Sequence, residues 1–277
     1  MCLQMNKKTR DKFDEIRRKL AGKMVLVAFS GGVDSTVLGS VTKEVASKTV
    51  LLTISSPTVP PSELHDAENI AKELGMKLIV KDFDWLSKRQ LSDNPVKRCY
   101  NCKKLLSAIW VDTAHELGFE MVVEGTTASE VKGYRPGIKA LEDAEVRSPF
   151  LDAGLTKEEL REYARERGLS VAEKSSMACM ATRFPYGTKI DLARLKMIEK
   201  VENAVLDIFD VECVRARYHG NLVRIEVGAD ELEKMFDTSK LQRLEKIARD
   251  AGFMYVTLDL RGYRTGAMDE ALGLKGN

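Results

Sequence analysis

A chain of 277 residues with 44% hydrophobic and 31% charged side chains has the composition of a globular protein rather than a disordered one. The formal net charge is only +2, so overall charge does not indicate a nucleic-acid or anionic-membrane partner. No apolar run approaches the roughly 20 residues that a membrane-spanning helix needs, and the polar N-terminus has no signal-peptide core. We therefore expect a cytoplasmic protein with no membrane partner.

Helical and strand patterns alternate over the first two thirds of the chain. An amphipathic helix is predicted over residues 7–21, and the continuous apolar run at residues 24–29 is typical of a strand buried on both faces. Thr156, followed by Glu159, predicts a capped helix over residues 156–167. Alternating strands and helices predict βαβ units and a doubly wound, parallel α/β sheet. The remaining helices are predicted over residues 36–46, 62–74 and 102–117, and the remaining strands over residues 50–54, 77–80 and 121–124.

The pattern changes after residue 185. A long helix is predicted over residues 192–209, and the alternating runs at residues 213–218 and 222–227 are joined by His219-Gly220-Asn221, which is a hairpin signal. A helical stretch over residues 230–251 and a strand over residues 255–260 complete a smaller α+β unit. We predict two domains, residues 1–185 and 186–277, the second serving in substrate binding or oligomerisation.

A glycine-rich loop (residues 30–35) follows the first buried strand directly, with the sequence Ser30-Gly31-Gly32-Val33-Asp34-Ser35. A strand, a Gly-Gly pair and a helix N-terminus place backbone N–H groups where phosphate oxygens can bind. The two serines can add hydroxyl donors, and Asp34 can hold the Mg²⁺ that accompanies ATP. No Gly-Lys-Ser/Thr is present, so the loop is not a Walker loop; a plain glycine turn is the alternative interpretation.

This hexapeptide resembles the defining motif of the PP-loop ATP pyrophosphatase superfamily. The resemblance implies a Rossmann-like fold, attack on the α-phosphate of ATP, an adenylated intermediate and release of pyrophosphate. Further motifs narrow the resemblance to the LarE family and extend it over nearly the whole chain. They are residues 94–103 (NPVKRCYNCK), 124–128 (EGTTA), 147–151 (RSPFL), 175–183 (SSMACMATR), 214–219 (VRARYH) and 259–266 (DLRGYRTG).

LarE-like enzymes are sulfur transferases that help to build the nickel-pincer nucleotide cofactor of lactate racemase. The resemblance implies that the chain adenylates a carboxylate of pyridinium-3,5-biscarboxylic acid mononucleotide and converts it to a thiocarboxylate. Adenylation makes chemical sense because a carboxylate would have to expel oxide, whereas an acyl-adenylate expels AMP. The resemblance also places Gly125 at the ATP site and gives Asp34 and Cys179 catalytic roles.

Five cysteines are present, and an odd number argues against a disulfide framework. Cys99 and Cys102 have a spacing that is common in iron–sulfur ligation, and the resemblance implies that they hold a [4Fe-4S] cluster together with Cys179. One iron would then lack a protein ligand and could carry an extra sulfide. The alternatives are a structural zinc site, a redox-active Cys-X-X-Cys pair, and Cys179 as a sacrificial sulfur donor. Cys2 and Cys213 carry no predicted role.

Arg215 and Arg217 lie two residues apart on a predicted strand, so they project from one face. Arg224 and Glu226 share one phase on the partner strand, which we interpret as a polar face rather than a buried one. Paired guanidinium groups suit a phosphate, and the resemblance places these arginines at the substrate phosphate. A solvated sheet face with salt bridges is the alternative. Further candidates for the phosphate site are Glu226, Arg183, Arg264 and Arg261.

A tRNA-thiolating PP-loop enzyme is the main alternative function, although the sequence shows no appended RNA-binding module and no basic stripe. An amidotransferase-like synthetase would lack a visible glutaminase domain, and a nucleotide-sensing module would leave the cysteines unexplained. We expect a small mononucleotide substrate, a sulfide source, no nucleic-acid partner and a homo-oligomer.

Overall fold

The computed structural model describes residues 5–130, 136–174, 178–264 and 267. Cys2 and the motif residues 175–177 and 265–266 lie outside the described residues. The chain divides into two compact units, the first comprising Met1–Phe83 and Lys97–Met177 and the second comprising Asp84–Val96 and Ala178–Gly276. The linear domain division after residue 185 stays a prediction.

Helices and strands alternate through the first unit, as the sequence predicts. The helices are α1 (Lys7–Leu20), α2 (Val33–Val45), α3 (Pro61–Glu73), α4 (Arg89–Ser92, which belongs to the second unit), α5 (Arg98–Glu116), α6 (Pro136–Asp143), α7 (Pro149–Asp152) and α8 (Lys157–Glu166). The strands are β1 (Met24–Ala28), β2 (Lys48–Ser55), β3 (Leu78–Asp82) and β4 (Met121–Val123).

The four strands form one parallel sheet in the order β3-β2-β1-β4, so the predicted doubly wound α/β sheet is confirmed. The central strand β1 is apolar throughout because both of its faces are covered. Val25 and Val27 pack into a core with α1, α2 and α8, whereas Leu26 and Ala28 pack into a second core with α5 and α6. Alternate side chains of a strand point to opposite faces, which explains why an unbroken apolar run is needed here.

Three local features of the first unit position the residues of interest. The predicted capping box is confirmed: the Thr156 hydroxyl accepts from the Glu159 amide, and the Glu159 carboxylate accepts from the Thr156 amide. Helix α2 begins at Val33 rather than at residue 36, which places Asp34 in its first turn. Helix α5 begins at Arg98 rather than at residue 102, which places Cys99 inside the helix.

The second unit is built around a three-stranded sheet in the order β5-β6-β7. Its predicted hairpin is confirmed, because β5 and β6 pair antiparallel, and β7 then pairs parallel to β6. The predicted helix over residues 230–251 is wrong in one respect. The stretch is two helices rather than one, because a 3₁₀ helix spans Ala229–Met235 and a separate α-helix begins after it. Asp237 caps this second helix, and its side chain accepts hydrogen bonds from two backbone N–H groups. The elements are α9 (Leu192–Phe209), β5 (Val214–His219), β6 (Leu222–Val227), α10 (Thr238–Asp250) and β7 (Tyr255–Leu258).

Backbone and side-chain hydrogen bonds join the segment Asp84–Val96 to the rest of the second unit. The Asn94 amide group donates to the carbonyl oxygens of Phe184 and Pro185, at 3.2 and 2.7 Å. The Ile190 N–H donates to the Ser92 carbonyl oxygen at 2.7 Å. Within the described ranges, no helix is both long and apolar enough to cross a membrane.

Candidate active site

The glycine-rich loop turns from β1 into α2 in a conformation that only glycine adopts easily. Gly31 has a φ of +70°, and a Cβ at this position would lie 2.8 Å from the Cα of Ala67 on α3. Any side chain here would therefore push α3 away from the loop. The loop is fixed at this point by backbone packing rather than by a side-chain contact.

Hydroxyl groups hold the two ends of the loop together. The Ser30 N–H donates to the Ser35 hydroxyl at 3.2 Å, and that hydroxyl lies 3.2 Å from the Gly32 carbonyl oxygen. The Ser30 hydroxyl in turn accepts from the Gly32 N–H at 3.4 Å. The first N–H groups of a helix have no intrahelical partner and attract anions, so α2 presents a phosphate-binding end.

Asp34 lies in the first turn of α2 and is the charged residue of the glycine-rich loop. Its Oδ2 atom is 2.5 Å from the Lys157 ammonium group at the start of α8. Its Oδ1 atom is buried and has no hydrogen-bond partner among the described residues. Burial raises the pKa of the Asp34 carboxyl, and the nearby Lys157 opposes that shift. An orphaned carboxylate oxygen beside a phosphate-binding end is the type of ligand that Mg²⁺ takes, so the residues present fit Mg²⁺-ATP.

Gly125 packs directly against this loop from the end of β4. A Cβ at Gly125 would lie 3.1 Å from both the Asp34 Cβ and the Ser35 backbone nitrogen. Its neighbour Glu124 is buried and accepts hydrogen bonds from the Thr126 hydroxyl at 2.8 Å and the Ser148 hydroxyl at 2.5 Å. These bonds fix the chain after β4, and with it the position of Gly125.

The cysteines of the predicted cluster lie in both units. Cys99 and Cys102 share one face of the first turns of α5, and Cys179 precedes the 3₁₀ helix Met180–Arg183 in the second unit. Cys99 and Cys179 are exposed, Cys102 is half-buried, and neither they nor Cys213 form a disulfide. Burial raises the pKa of the Cys213 thiol. In the part of the chain that the structure describes, no three Cys, His, Asp or Glu side chains are grouped to hold a metal, so the three-cysteine site stays a prediction.

The interpretation of the β5–β6 face as an unburied polar surface is wrong. Arg215, Arg217 and Glu226 are 3%, 6% and 0% exposed. The Nε and Nη2 atoms of Arg217 lie 3.0 and 2.8 Å from Glu226 Oε2, and Arg224 reaches Glu226 Oε1 at 2.9 Å. Because the charges are compensated within the sheet, the face can be buried despite its polarity.

The other predicted phosphate ligands also lie in the second unit. Arg183 is fully buried, and its guanidinium lies 2.9 and 3.1 Å from the two carboxylate oxygens of Glu202 on α9. Arg215 lies over the Tyr263 ring, with its Cζ atom 4.9 Å from the centroid. Arg264 donates to the Gly262 carbonyl oxygen at 3.1 Å. We call Arg183, Arg215, Arg217 and Arg224 with Glu202 and Glu226 the arginine cluster.

Two arginines of the cluster lie near enough to His219 to affect its pKa. Burial lowers the pKa of His219, and the charges of Arg224 and Arg217 lower it further. Arg224 keeps 36% of its side chain exposed although it is paired with Glu226. Arg224 is therefore the member of the cluster that solvent reaches, and sequence reasoning did not select it as a phosphate ligand.

Comparison with known proteins places the chain. Residues 6–99 match the family model described as NAD synthase. The chain is 33% identical over 248 residues to an uncharacterised protein of Synechocystis sp., covering 89% of this chain and 92% of the other. It is 30% identical over 250 residues to the pyridinium-3,5-bisthiocarboxylic acid mononucleotide synthase of Lactiplantibacillus plantarum, covering 90% of each. The chain belongs to the LarE family of PP-loop enzymes.

LarE-family membership makes the chain an ATP-using enzyme of the PP-loop superfamily. Its similarity to tRNA-specific 2-thiouridylases is more distant: the Rickettsia typhi protein is 26% identical, over 61% of this chain and 58% of its own length. The parallel sheet, the loop at the end of β1 and the Asp34 carboxylate agree with this membership.

Sequence reasoning missed two lysines beside the loop. Lys157 pairs with Asp34, and Lys174 lies 2.7 Å from Asp66 Oδ2 and 3.5 Å from the Gly31 carbonyl oxygen. One signal was available for Lys157, because a cation in the first turn of a helix opposes the helix dipole. Because the N-terminus of α8 is otherwise well capped, a lysine at its first position indicates that this side chain contacts a residue outside its own helix.

Proposed function

We propose that this LarE-family enzyme adenylates a carboxylate of pyridinium-3,5-biscarboxylic acid mononucleotide and converts it to a thiocarboxylate in the cytoplasm, for nickel-pincer nucleotide synthesis and lactate racemase maturation. The observation that carries the proposal is the match to a bisthiocarboxylic acid mononucleotide synthase over 90% of both chains. The local geometry of the glycine-rich loop supports the ATP half of this reaction.

The loop would act on the pyrophosphate that leaves in the first step. The N-terminus of α2 would receive its oxygens, and the orphaned Oδ1 of Asp34 would hold Mg²⁺. Bound Mg²⁺ supplies charge neutralisation for the phosphates. Lys157 balances the charge of Asp34 and engages its Oδ2 atom, which leaves Oδ1 for the metal. The carboxylate of the substrate would displace pyrophosphate from the α-phosphate of ATP, so that AMP becomes the leaving group for sulfur.

The arginines of β5 and β6 would bind the substrate phosphate. Arg215 and Arg217 are oriented before any ligand arrives, Arg215 by Tyr263 and Arg217 by Glu226. Guanidinium groups held in this way lose little side-chain freedom when they bind a phosphate. Arg224, at the exposed edge, would meet the phosphate first. Arg264 and Glu226 stay predicted members of this site, whereas the fully buried Arg183 is held by Glu202.

Cys99, Cys102 and Cys179 would hold a [4Fe-4S] cluster. Three thiols, two of them on one helix face and none in a disulfide, are a donor set that such a cluster accepts. Bound there, the cluster would supply sulfide for transfer. The proposal includes an external sulfide source and a homo-oligomeric enzyme.

The ATP half of the proposal is tested by product analysis. Purified enzyme given ATP, sulfide and the mononucleotide should release AMP and pyrophosphate and should add sulfur to the acceptor, as measured by mass spectrometry. Release of ADP in place of AMP would contradict the proposal. A parallel reaction with unmodified tRNA tests the second candidate, a tRNA thiolase, which the 26% identity to a 2-thiouridylase favours. Sulfur found in tRNA alone would establish that candidate.

The phosphate site is tested by removing either half of the contact. Arg224→Ala should lower kcat/KM with the mononucleotide about ten- to a hundredfold, equivalent to roughly 1.5–3 kcal/mol, and should leave ATP binding unchanged. With a dephosphorylated substrate, the variant and the parent should differ little, because the contact is already absent. The same comparison applies to Arg215→Ala and Arg217→Ala, whose unfolding must be measured alongside because both side chains are buried. Equal losses with both substrates would remove these arginines from the phosphate site.

The metal is tested on anaerobically purified protein. It should be brown and contain about four irons per chain, and replacing any one of Cys99, Cys102 and Cys179 with Ala should lower iron retention and sulfur transfer together. Stoichiometric zinc with no uptake of iron would contradict the cluster. Loss of one sulfur from Cys179 after a single turnover would establish the sacrificial route instead.

A further inference from the structure

We infer that Arg183 and Glu202 form a buried clamp that positions Cys179 for sulfur transfer, which makes Arg183 a positioning residue rather than a ligand of the substrate phosphate. This inference rests on the proposed function only in the role that it gives to Cys179. The contacts that carry it lie entirely within the second unit.

The guanidinium of Arg183 faces two ways. Its Nε and Nη2 atoms donate to the Glu202 carboxylate, and its Nη1 atom donates to the carbonyl oxygens of Ala178 at 2.6 Å and Cys179 at 3.3 Å. Arg183 is 0% exposed, so these bonds are shielded from water. The clamp therefore fixes the backbone at Cys179, while the Cys179 side chain remains exposed.

Other contacts hold the same short segment in place. The Thr182 N–H and hydroxyl donate to the Cys179 carbonyl oxygen at 2.9 and 2.8 Å. Arg217 donates to the Thr182 carbonyl oxygen at 2.8 Å, and the Ala216 N–H donates to Glu202 Oε1 at 2.8 Å. Strand β5 and helix α9 thus fix both the segment and the carboxylate that holds Arg183.

This arrangement suits a thiol that must keep a fixed position during sulfur transfer. Holding a reactive side chain on a support fixed by buried contacts supplies part of the orientation that a transfer step requires. Burying a guanidinium and a carboxylate costs desolvation, which an apolar pair of similar size would avoid. An apolar pair could not donate hydrogen bonds to the backbone, whereas Arg183 Nη1 donates to the carbonyl oxygens of Ala178 and Cys179.

The decisive variant removes both charges at once. Arg183→Met alone would leave Glu202 buried and unpaired, so it is combined with Glu202→Gln, whose amide oxygen can still accept from Ala216. The double variant should fold, yet hydrogen exchange of the peptide covering residues 178–184 should become more than tenfold faster. The matched control is Arg249→Met with Glu245→Gln, an exposed pair on α10 of the same unit, which should leave that exchange unchanged.

Kinetics separate positioning from phosphate binding. The double variant should lose at least tenfold in kcat for sulfur transfer, equally with the phosphorylated and the dephosphorylated substrate, while pyrophosphate release in a single turnover stays within twofold of the parent. A loss confined to the phosphorylated substrate and expressed in KM would make Arg183 a phosphate ligand and overturn the inference. Parental kcat would overturn it as well, whatever the exchange data show.

Arg183→Lys tests whether geometry or charge matters. A lysine keeps the charge opposite Glu202 but cannot donate to the carboxylate and to two carbonyl groups together, so exchange and kcat should fall between parent and double variant. Parental values would show that charge alone suffices and would overturn the clamp. If the parent transfers no sulfur, the proposed function fails and the role for Cys179 fails with it, whereas the exchange data still decide whether the pair holds the segment.

Discussion

The glycine-rich loop of the first unit and the arginine cluster of the second hold their ion pairs at different depths, because Asp34 and Lys157 are partly exposed whereas Arg217 and Glu226 are buried. The loop is made of backbone and hydroxyl groups, and one oxygen of Asp34 is left without a partner among the described residues. In the arginine cluster, Arg183, Arg217 and Arg224 each have a carboxylate partner. A partly exposed pair that leaves a carboxylate oxygen without a partner is prepared for a ligand, whereas buried pairs also stabilise the fold. Substitutions in the loop should therefore lower activity, whereas substitutions in the arginine cluster should lower the stability of the fold.

The largest expected effect is on stability, in the arginine cluster. Arg217→Met removes the buried partner of Glu226 and should lower the free energy of unfolding by about 3–5 kcal/mol. Arg249→Met breaks an exposed pair with Glu245 in the same unit and should cost less than about 1 kcal/mol. Urea-induced unfolding measures both. Equal costs would mean that burial of the arginine cluster has no energetic consequence.

In the glycine-rich loop, we expect a substitution to lower the rate of pyrophosphate release. Asp34→Asn removes the charged ligand and should slow pyrophosphate release by roughly 10²–10³-fold, the scale of losing one charge-stabilising group at a reacting centre. The fold should keep its stability or gain on the order of 1 kcal/mol, because a charge that burial disfavours is removed. Asp112→Asn, at an exposed position on α5, is the control and should change neither quantity. A variant that loses activity by unfolding would erase the contrast between the two regions.

A smaller effect is expected where Gly125 packs against the loop. The added Cβ of Gly125→Ala would lie 3.1 Å from the Asp34 Cβ, so the loop must move by a few tenths of an ångström. We expect KM for ATP to rise about tenfold, equivalent to ~1.4 kcal/mol. In Gly137→Ala the new Cβ would lie 3.7 Å from the Lys103 Cβ, an ordinary contact, and KM should stay unchanged. An unchanged KM for both variants would mean that the loop adapts.

The smallest effect is a dependence of stability on pH. Burial raises the pKa of folded Asp34 above the ordinary value of 3.8, so the native state binds the proton more tightly than the unfolded chain does. The contribution of Asp34 to stability is therefore present at low pH and is lost as pH rises from the ordinary value through the raised one. Unfolding is measured from pH 3 upwards without ATP for the parent and for Asp34→Asn, which share all other carboxyl groups. The difference in unfolding free energy between them should move against the parent as pH rises through the pKa of Asp34. Identical slopes would show that Asp34 titrates normally.

What the sequence determined by itself was local in origin. The turn at residues 30–35 follows from adjacent glycines after an apolar run, the capping box from Thr156 and Glu159, and the β5–β6 hairpin from alternation around a glycine. Each of these depends on neighbours a few residues away, and each is present in the structure. The parallel sheet was predictable for a related reason, because an apolar run with no alternation requires cover on both faces.

Tertiary structure alone decided which charges meet. Lys157 reaches Asp34 across 123 positions of sequence, and Arg217 is buried because Glu226 lies on the neighbouring strand. Periodicity shows that Arg215 and Arg217 share a face, but it cannot show whether that face is covered. The contacts of Arg183 could not be predicted either. Its motif suggested a phosphate ligand, yet its guanidinium donates to Glu202 and to the backbone of Cys179. Pairing of buried charges depends on which surfaces fold against each other, and a residue pattern does not contain that information.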